Sequence, residues 1–228
     1  MQIKNTIILL QFKKEASLNK KHKEDAKLYV KLLNPSNNPS NLTLPEIELF
    51  EDESFRENTE KYLWRTLQCN KFDFIKGKFY DDFKNSMDER IVQCSNICLL
   101  NEEISLDNTW YEITFLQDGL ILNNSQTEIT IKYKKNKKKT LITSANILLN
   151  NNNSPILIEG LLYLKELFYY SNIVFNYIND EFTIADIVQI LNLFSWKPVN
   201  SSTIRRRFGK YIEKTNTDVY PSIFKQKI

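Results

Sequence analysis

Two hydrophobic patterns divide the chain. Up to about residue 144, short apolar runs rich in β-branched and aromatic residues recur between polar loops, at 6–12, 28–33, 91–100, 111–116, 120–122 and 128–133. Runs of this length and composition predict strands. One segment departs from them. From Ser54 to Leu67, the apolar residues Phe55, Tyr62, Leu63 and Leu67 recur near helical spacing, behind Asp52 and Glu53, whose charge suits the positive end of a helix dipole. The first part of the chain is therefore expected to mix α and β. A polar run from Asn150 to Pro155 then reads as a junction, which predicts domains at 1–150 and 151–228. Beyond it, leucines and tyrosines over 156–169, with Glu159, Lys165 and Glu166 on the polar side, predict a helix, and 172–178 a second short one. The aromatic cluster Tyr163, Phe168, Tyr169 and Tyr170 reads as packing.

A sharper pattern follows. Thr183 precedes a stripe of Ile184, Ile187, Val188, Leu191 and Phe194, and Asp186 stands three residues on, so Thr183 is expected to cap a helix. Pro198 interrupts the next segment, from Ser195 to Asn200, which predicts a turn. Asn200 then caps a second predicted helix, from Ser201 to Lys214, with Ile204, Phe208, Tyr211 and Ile212 on its apolar face. Ser202, Thr203, Arg206, Gly209 and Lys210 fall opposite, flanked by Arg205 and Arg207. Small hydroxyl residues at the start of a helix and arginines behind them suit the major groove of DNA, where side chains read base edges and hold phosphates. The candidate DNA contacts are Thr183, Ser201, Ser202, Thr203, Arg205, Arg206, Arg207 and Lys210. A solvated helix face is the alternative reading of the arginine run. After a turn at 215–218, residues 219–225 are expected to form a short wing strand that brings Lys225 and Lys227 near phosphate.

Composition narrows the class. Of 228 residues, 42% are hydrophobic and 26% charged, enough apolar side chain for a core and too balanced for wholesale disorder. The net charge of +3 is too small to identify a polyanion partner by itself, so clustering matters. Basic residues cluster over Lys132 to Lys139, expected as a solvated hairpin tip, and over Arg205 to Lys214. No apolar stretch approaches the ~20 residues of a membrane span, and no leader opens the chain, so a cytoplasmic, nucleoid-associated protein without a membrane partner is expected. Cys69, Cys94 and Cys98 form an odd set without metal-type spacing, and His22 sits apart in a lysine-rich stretch, which predicts reduced buried thiols and no metal site.

The segments LKELFYYSNIVFNYINDEFTIADIVQIL, from Leu164 to Leu191, and KPVNSSTIRRRF, from Lys197 to Phe208, resemble the winged helix of Nudix-related transcriptional regulators of the NrtR type. Upstream, LTLPEIELFEDESFRENTEKYLWRTL is similar to the strand, turn and helix of that family's Nudix-like domain, with Leu44–Pro45 and Glu53–Ser54 matching directly. The resemblance implies an α+β fold, a Nudix-like mixed α/β sandwich followed by a winged helix-turn-helix. It also implies a homodimer on a palindromic operator of double-stranded DNA, answering to a nucleotide or sugar-phosphate effector such as ADP-ribose or a related NAD metabolite, with no bound cofactor. The chain departs from the family where the catalytic box needs its arginine and glutamates, since Lys61, Tyr62, Leu63, Trp64, Arg65 and Thr66 stand there, and Ile47 and Gln68 replace glycines. A hydrolase of this kind needs clustered carboxylates to hold magnesium against a pyrophosphate. Loss of that set implies a domain without catalysis, in which Glu53, Lys61 and Arg65 are candidate effector contacts. Two readings stay open beside it: a phosphohydrolase that draws on Glu46, Glu48 or Glu57 beside Glu53, and an interaction protein that has lost specific DNA binding.

Overall fold

The computed structural model describes residues 2–16, 24–35, 41–84, 90–136, 140–150, 153–215 and 222–226. His22, Lys137 to Lys139, Asn151, Asn152, the segment 216–221 and Lys227, which figured in the expectations above, lie outside the described residues. The chain divides into two compact units, one of Met1–Lys13, Leu28–Ile113 and Asp118–Gly160, the other of Lys14–Lys27, Thr114–Gln117 and Leu161–Ile228.

The elements run β1 (Gln2–Ala16), β2 (Glu24–Lys31), β3 (Glu46–Glu48), α1 (Phe55–Leu67), β4 (Phe72–Lys84), β5 (Arg90–Leu100), β6 (Trp110–Phe115), β7 (Gly119–Asn123), β8 (Glu128–Lys135), β9 (Thr140–Ala145) and α2 (Asn153–Tyr170). A 3-10 turn at Ile173–Tyr177 follows, then α3 (Ile184–Asn192), α4 (Ser201–Phe208), β10 (Ile212–Lys214) and β11 (Phe224–Gln226). The first nine strands form one mixed sheet in the order β4-β5-β1-β2-β6-β7-β8-β9, with β3 paired to β1. β1 and β5 are parallel, from Gln2 opposite Ile91 to Gln11 opposite Leu100, whereas β4–β5, β2–β6, β7–β8 and β8–β9 are antiparallel.

Alternation along β1 and β5 assigns the first unit's core to two faces. Ile7, Leu9, Cys98 and Leu100 join Leu63 of α1, Phe72 and Trp110 in one buried cluster. Ile8 and Ile97 point the opposite way, where Gly160 of α2 comes so close that a Cβ added there would stand 2.1 Å from Ile8 Cδ1. Full burial of such a side chain stabilises the fold by roughly 1.5–3 kcal/mol, so these alternating pairs fix the register.

The structure departs from expectation in four places. β4 went unpredicted although it pairs with most of β5; its apolar alternation is broken by Gly77 and two register shifts, and it lies at the sheet edge. β3, only three residues long, is below the length that a sequence pattern resolves. α2 begins at Asn153 rather than after the polar run, because Pro155 falls in its first turn, where the missing N–H costs no helical bond. Within α2, residues to Gly160 belong to the first compact unit and those from Leu161 to the second. Finally, the second predicted helix of the pair ends at Phe208 instead of running to Lys214: Gly209 caps it, Lys210 sits in the following turn, and Ile212 starts β10 with its side chain buried. Among the described residues, no helix is long and apolar enough to cross a membrane.

Candidate functional site

In the second unit, α3 and α4 are each set by a capping residue that the sequence indicated. Thr183 caps α3: its hydroxyl accepts from the Asp186 N–H at 3.4 Å, and the Asp186 carboxylate accepts from the Thr183 N–H at 2.7 Å. Asn200 caps α4 by accepting from the Ser202 N–H and hydroxyl, both at 2.9 Å. Between the two helices, Asn192 at the end of α3 accepts from the Val199 N–H at 2.7 Å and so fixes the turn around Pro198. Each cap contributes about 1 kcal/mol and, more usefully, defines where the helix starts.

Packing then decides which way α4 faces. Ile204 and Phe208 are buried, and Phe208 meets Phe175 edge-on at 5.7 Å between ring centroids. Phe175 in turn lies 5.5 Å from Phe182, whose backbone bridges to Phe224 of β11. β11 pairs with β10 through Ile212 opposite Gln226 and Lys214 opposite Phe224. With Ile204 and Phe208 inward, helical geometry turns Ser202 and Arg206 directly outward, Thr203 partly so, and Arg205 to one side. Ser201, Ser202, Arg205, Arg206 and Lys210 are exposed. Arg207 is different. It folds back over Tyr169 and Tyr170 at the end of α2, with its guanidinium carbon 5.3 and 4.9 Å from the two ring centroids and one terminal nitrogen buried without a hydrogen-bond partner. Thr183 is also committed, its hydroxyl being used in the α3 cap.

In the first unit, the positions singled out on and before α1 form a hydrogen-bonded chain. One oxygen of Glu53 pairs with Lys61, and the other accepts from Asn58 at 2.9 Å. Asn58 accepts from Asn5 of β1 at 3.1 Å, and Asn5 accepts from Asn96 of β5 at 2.9 Å. The Lys61 hydrogen bond, then that of Asn58, holds the Glu53 carboxyl below its ordinary pKa. Arg65 is exposed and adds its charge nearby. The other carboxylates are likewise engaged: Glu57 caps α1 through Ser54, Glu46 accepts from Gln93 at 3.1 Å and Asn153 at 3.0 Å, and Glu48 accepts from Gln2 at 3.1 Å. Among the described residues, no three His, Cys, Asp or Glu side chains converge as a metal site would require. Gln68 closes α1 in the left-handed conformation, φ 53 and ψ 29, although it carries a side chain. Cys69, Cys94 and Cys98 are buried and unpaired.

The structure thus brings together Ser201, Ser202, Thr203, Arg205 and Arg206 on α4, and Glu53 with Lys61 before and on α1. It parts Arg207 from the first group and gives Lys210 to a turn. The stacking role of Arg207 was not foreseen; the signal for it was the adjacent pair Tyr169–Tyr170, read only as packing.

No family model and no curated protein matches this sequence. Solved structures do resemble it. A MutT/nudix family protein from Enterococcus faecalis, 14% identical, superposes with a TM-score of 0.70 over 99% of this chain and 86% of that one. NrtR from Shewanella oneidensis, also 14% identical, gives a TM-score of 0.60 over 100% of this chain and 94% of its own. The same protein complexed with a 27mer DNA gives 0.58 at 13% identity, over 99% and 93%. At such identities the likeness is one of fold: the chain has a mixed α+β Nudix-like fold with a large mixed sheet.

Proposed function

We propose that a Nudix-like fold here serves a sequence-specific, DNA-binding transcriptional regulator, with α4 as its recognition helix. The carrying observation is the capped pair α3 and α4, with Ser202, Arg205 and Arg206 outward, followed by the β10–β11 hairpin tied to Phe182. Helix, turn, helix and hairpin in this order support the assignment of a winged helix-turn-helix. The likeness in fold to a protein solved on a 27mer DNA supports the reading. Ser201, Ser202, Thr203 and Arg206 are assigned to the groove and Arg205 and Lys210 to phosphates, while Thr183, whose N–H and hydroxyl both serve the α3 cap, is assigned to holding the start of α3 in place. Arg207 supports α4 from behind.

The domain at 1–150 is assigned to effector sensing and that at 151–228 to DNA. The effector is a nucleotide or sugar metabolite, ADP-ribose being the first to test, and Arg65 and Lys61 beside Glu53 are its candidate anion contacts. The sensing domain is not an enzyme: Lys61, Tyr62, Arg65 and Thr66 stand where the resemblance calls for the arginine and glutamates, and both oxygens of Glu53 are already bonded. A homodimer in the cytoplasm reads a palindromic operator, and the effector shifts the population between forms of high and low operator affinity. Selection of bound DNA by the purified protein tests the reading; a palindromic motif lost in Arg206→Ala supports it. Magnesium-dependent turnover of ADP-ribose that disappears in Glu53→Gln contradicts the non-catalytic assignment.

A further inference from the structure

The cations on and around α4 are left without carboxylates. Between Thr183 and Ile212 the one acidic residue is Asp186, and it is committed to the α3 cap. Among the described residues, Lys197, Arg205, Arg206, Arg207 and Lys210 form no ion pair, whereas Lys225 on β11 is held by Glu181 at 3.3 Å.

The two flanks of α4 are furnished differently. A helix about 10–12 Å across fills a major groove about 12 Å wide, so a strand of phosphates runs along each side of it. Arg205 projects on one side. On the other stand Thr203 and Arg207, one helical turn apart. Arg207 is retracted there: its guanidinium carbon lies 5.3 and 4.9 Å from the Tyr169 and Tyr170 ring centroids, and its Nη1 is buried without a hydrogen-bond partner. What stands out beside it is Tyr170, the last residue of α2, 77% exposed. A hydrogen bond ties Tyr169 to Ser195 and so brings the turn before α4 to the same flank. Asn192 pins that turn at both ends, its carbonyl accepting from the Ser195 N–H at 3.0 Å and its side chain from the Val199 N–H at 2.7 Å. Trp196, Lys197 and Pro198 are exposed between these two points, with the Lys197 ammonium 4.4 Å from the centre of the Trp196 ring.

A tyrosine hydroxyl and a lysine ammonium are donors for phosphate oxygens, and contacts of that kind position a duplex without reading its bases. The stacked Arg207 guanidinium, which no carboxylate pairs, adds positive charge beneath Tyr170. We infer that Tyr170, Lys197 and Arg207 form a second phosphate-binding edge of the DNA interface, on the flank of α4 opposite Arg205, so that the C-terminus of α2 belongs to that interface. The inference rests on α4 as the recognition helix.

Because such contacts are indifferent to sequence, a labelled mixed-sequence duplex of about 30 base pairs, roughly three helical turns, serves as the probe. Its affinity for the full chain is read by fluorescence anisotropy over a series of salt concentrations. Tyr170→Phe keeps the ring over Arg207 and removes only the hydroxyl. It is expected to weaken binding about threefold to tenfold, with an unchanged melting temperature. Lys197→Gln is expected to weaken binding by a similar factor and to lower the slope of log affinity against log salt by about one unit. Lys134→Gln, the same change of charge at an exposed position of β8, is expected to leave affinity and slope unchanged. Wild-type affinity and slope in both Tyr170→Phe and Lys197→Gln overturn the edge, as does an equal loss in Lys134→Gln, which marks a response to net charge alone. Arg206→Ala, measured alongside, separates the edge from the recognition helix. A loss there with none in the two edge variants sustains α4 and removes the edge. A duplex that the wild-type chain does not bind, or binding that none of the substitutions alters, removes both.

Discussion

Arg206 and Arg207 are neighbours in a run of three like residues, and burial alone tells them apart. Arg206 is exposed on the side of α4 away from Ile204 and Phe208, whereas Arg207 stacks on Tyr169 and Tyr170. Arg206→Ala is therefore expected to lose about 1–3 kcal/mol of operator binding and to relax preference at one base position, with no change in melting temperature. Arg207→Ala is expected to lower stability by up to about 1–2 kcal/mol through the two ring contacts, and to weaken DNA binding evenly across sequences. Thermal melts and binding titrations on variant operators distinguish the two. Gln68 supplies a second residue-scale test: a left-handed conformation costs a side-chain-bearing residue about 1 kcal/mol, so Gln68→Gly is expected to raise stability by roughly that amount in a denaturant titration. A third concerns Glu159 on α2. Burial pushes its carboxyl up, but hydrogen bonds from Lys78 at 3.1 Å, the Thr140 N–H at 3.3 Å and Tyr80 at 3.1 Å outweigh that and hold it below the ordinary value. A depressed folded-state pKa means stability that is complete above the unfolded pKa, near 4.3, and is lost as pH falls through the folded one. Removing the titration in Glu159→Gln should flatten stability between about pH 5 and 2, whereas an unchanged acid limb would show that the cluster is not coupled to folding.

Elements were legible where a cap, a breaker and an apolar stripe coincided. Thr183 with Asp186, Pro198 and Asn200 gave the starts of α3 and α4, and Ser54 with Glu57 gives α1 a capping box at the residue where the stripe began. Ends were harder to read. The stripe of Ile204, Phe208 and Ile212 continues at helical spacing past Gly209, and only tertiary pairing with β11 turns Ile212 into a strand residue. β4 escaped because its bulges break period two, a device that also blunts a sheet edge against another chain. The α1 site was legible as positions and not as partners: the sequence singled out Glu53 and Lys61, but Asn5 and Asn96, which complete the chain beneath them, lie on strands distant in sequence. At this scale, Thr183→Ala should cost about 1 kcal/mol of stability, with α3 amides losing hydrogen-exchange protection before those of the sheet.

At the scale of the molecule, a fold shared with Nudix proteins includes a second unit whose exposed helix carries the arginines. Fold alone does not carry function, so the claim stands on the surface of α4. The charge at the whole-chain level, only +3, says little, while Arg205 and Arg206 on one short helix and Lys210 just after it give a local field suited to phosphate. Binding that draws on these residues should weaken steeply with salt, and Lys210→Ala should reduce that slope by about one unit, while a slope unchanged by the substitution would remove Lys210 from the interface. The most direct test of the central claim is enrichment of random-sequence duplexes by the purified protein, sequenced over successive rounds beside Arg206→Ala. A single palindromic motif is expected for the wild-type chain, with its loss or relaxation in the variant. Equal recovery of all sequences by both proteins would contradict it.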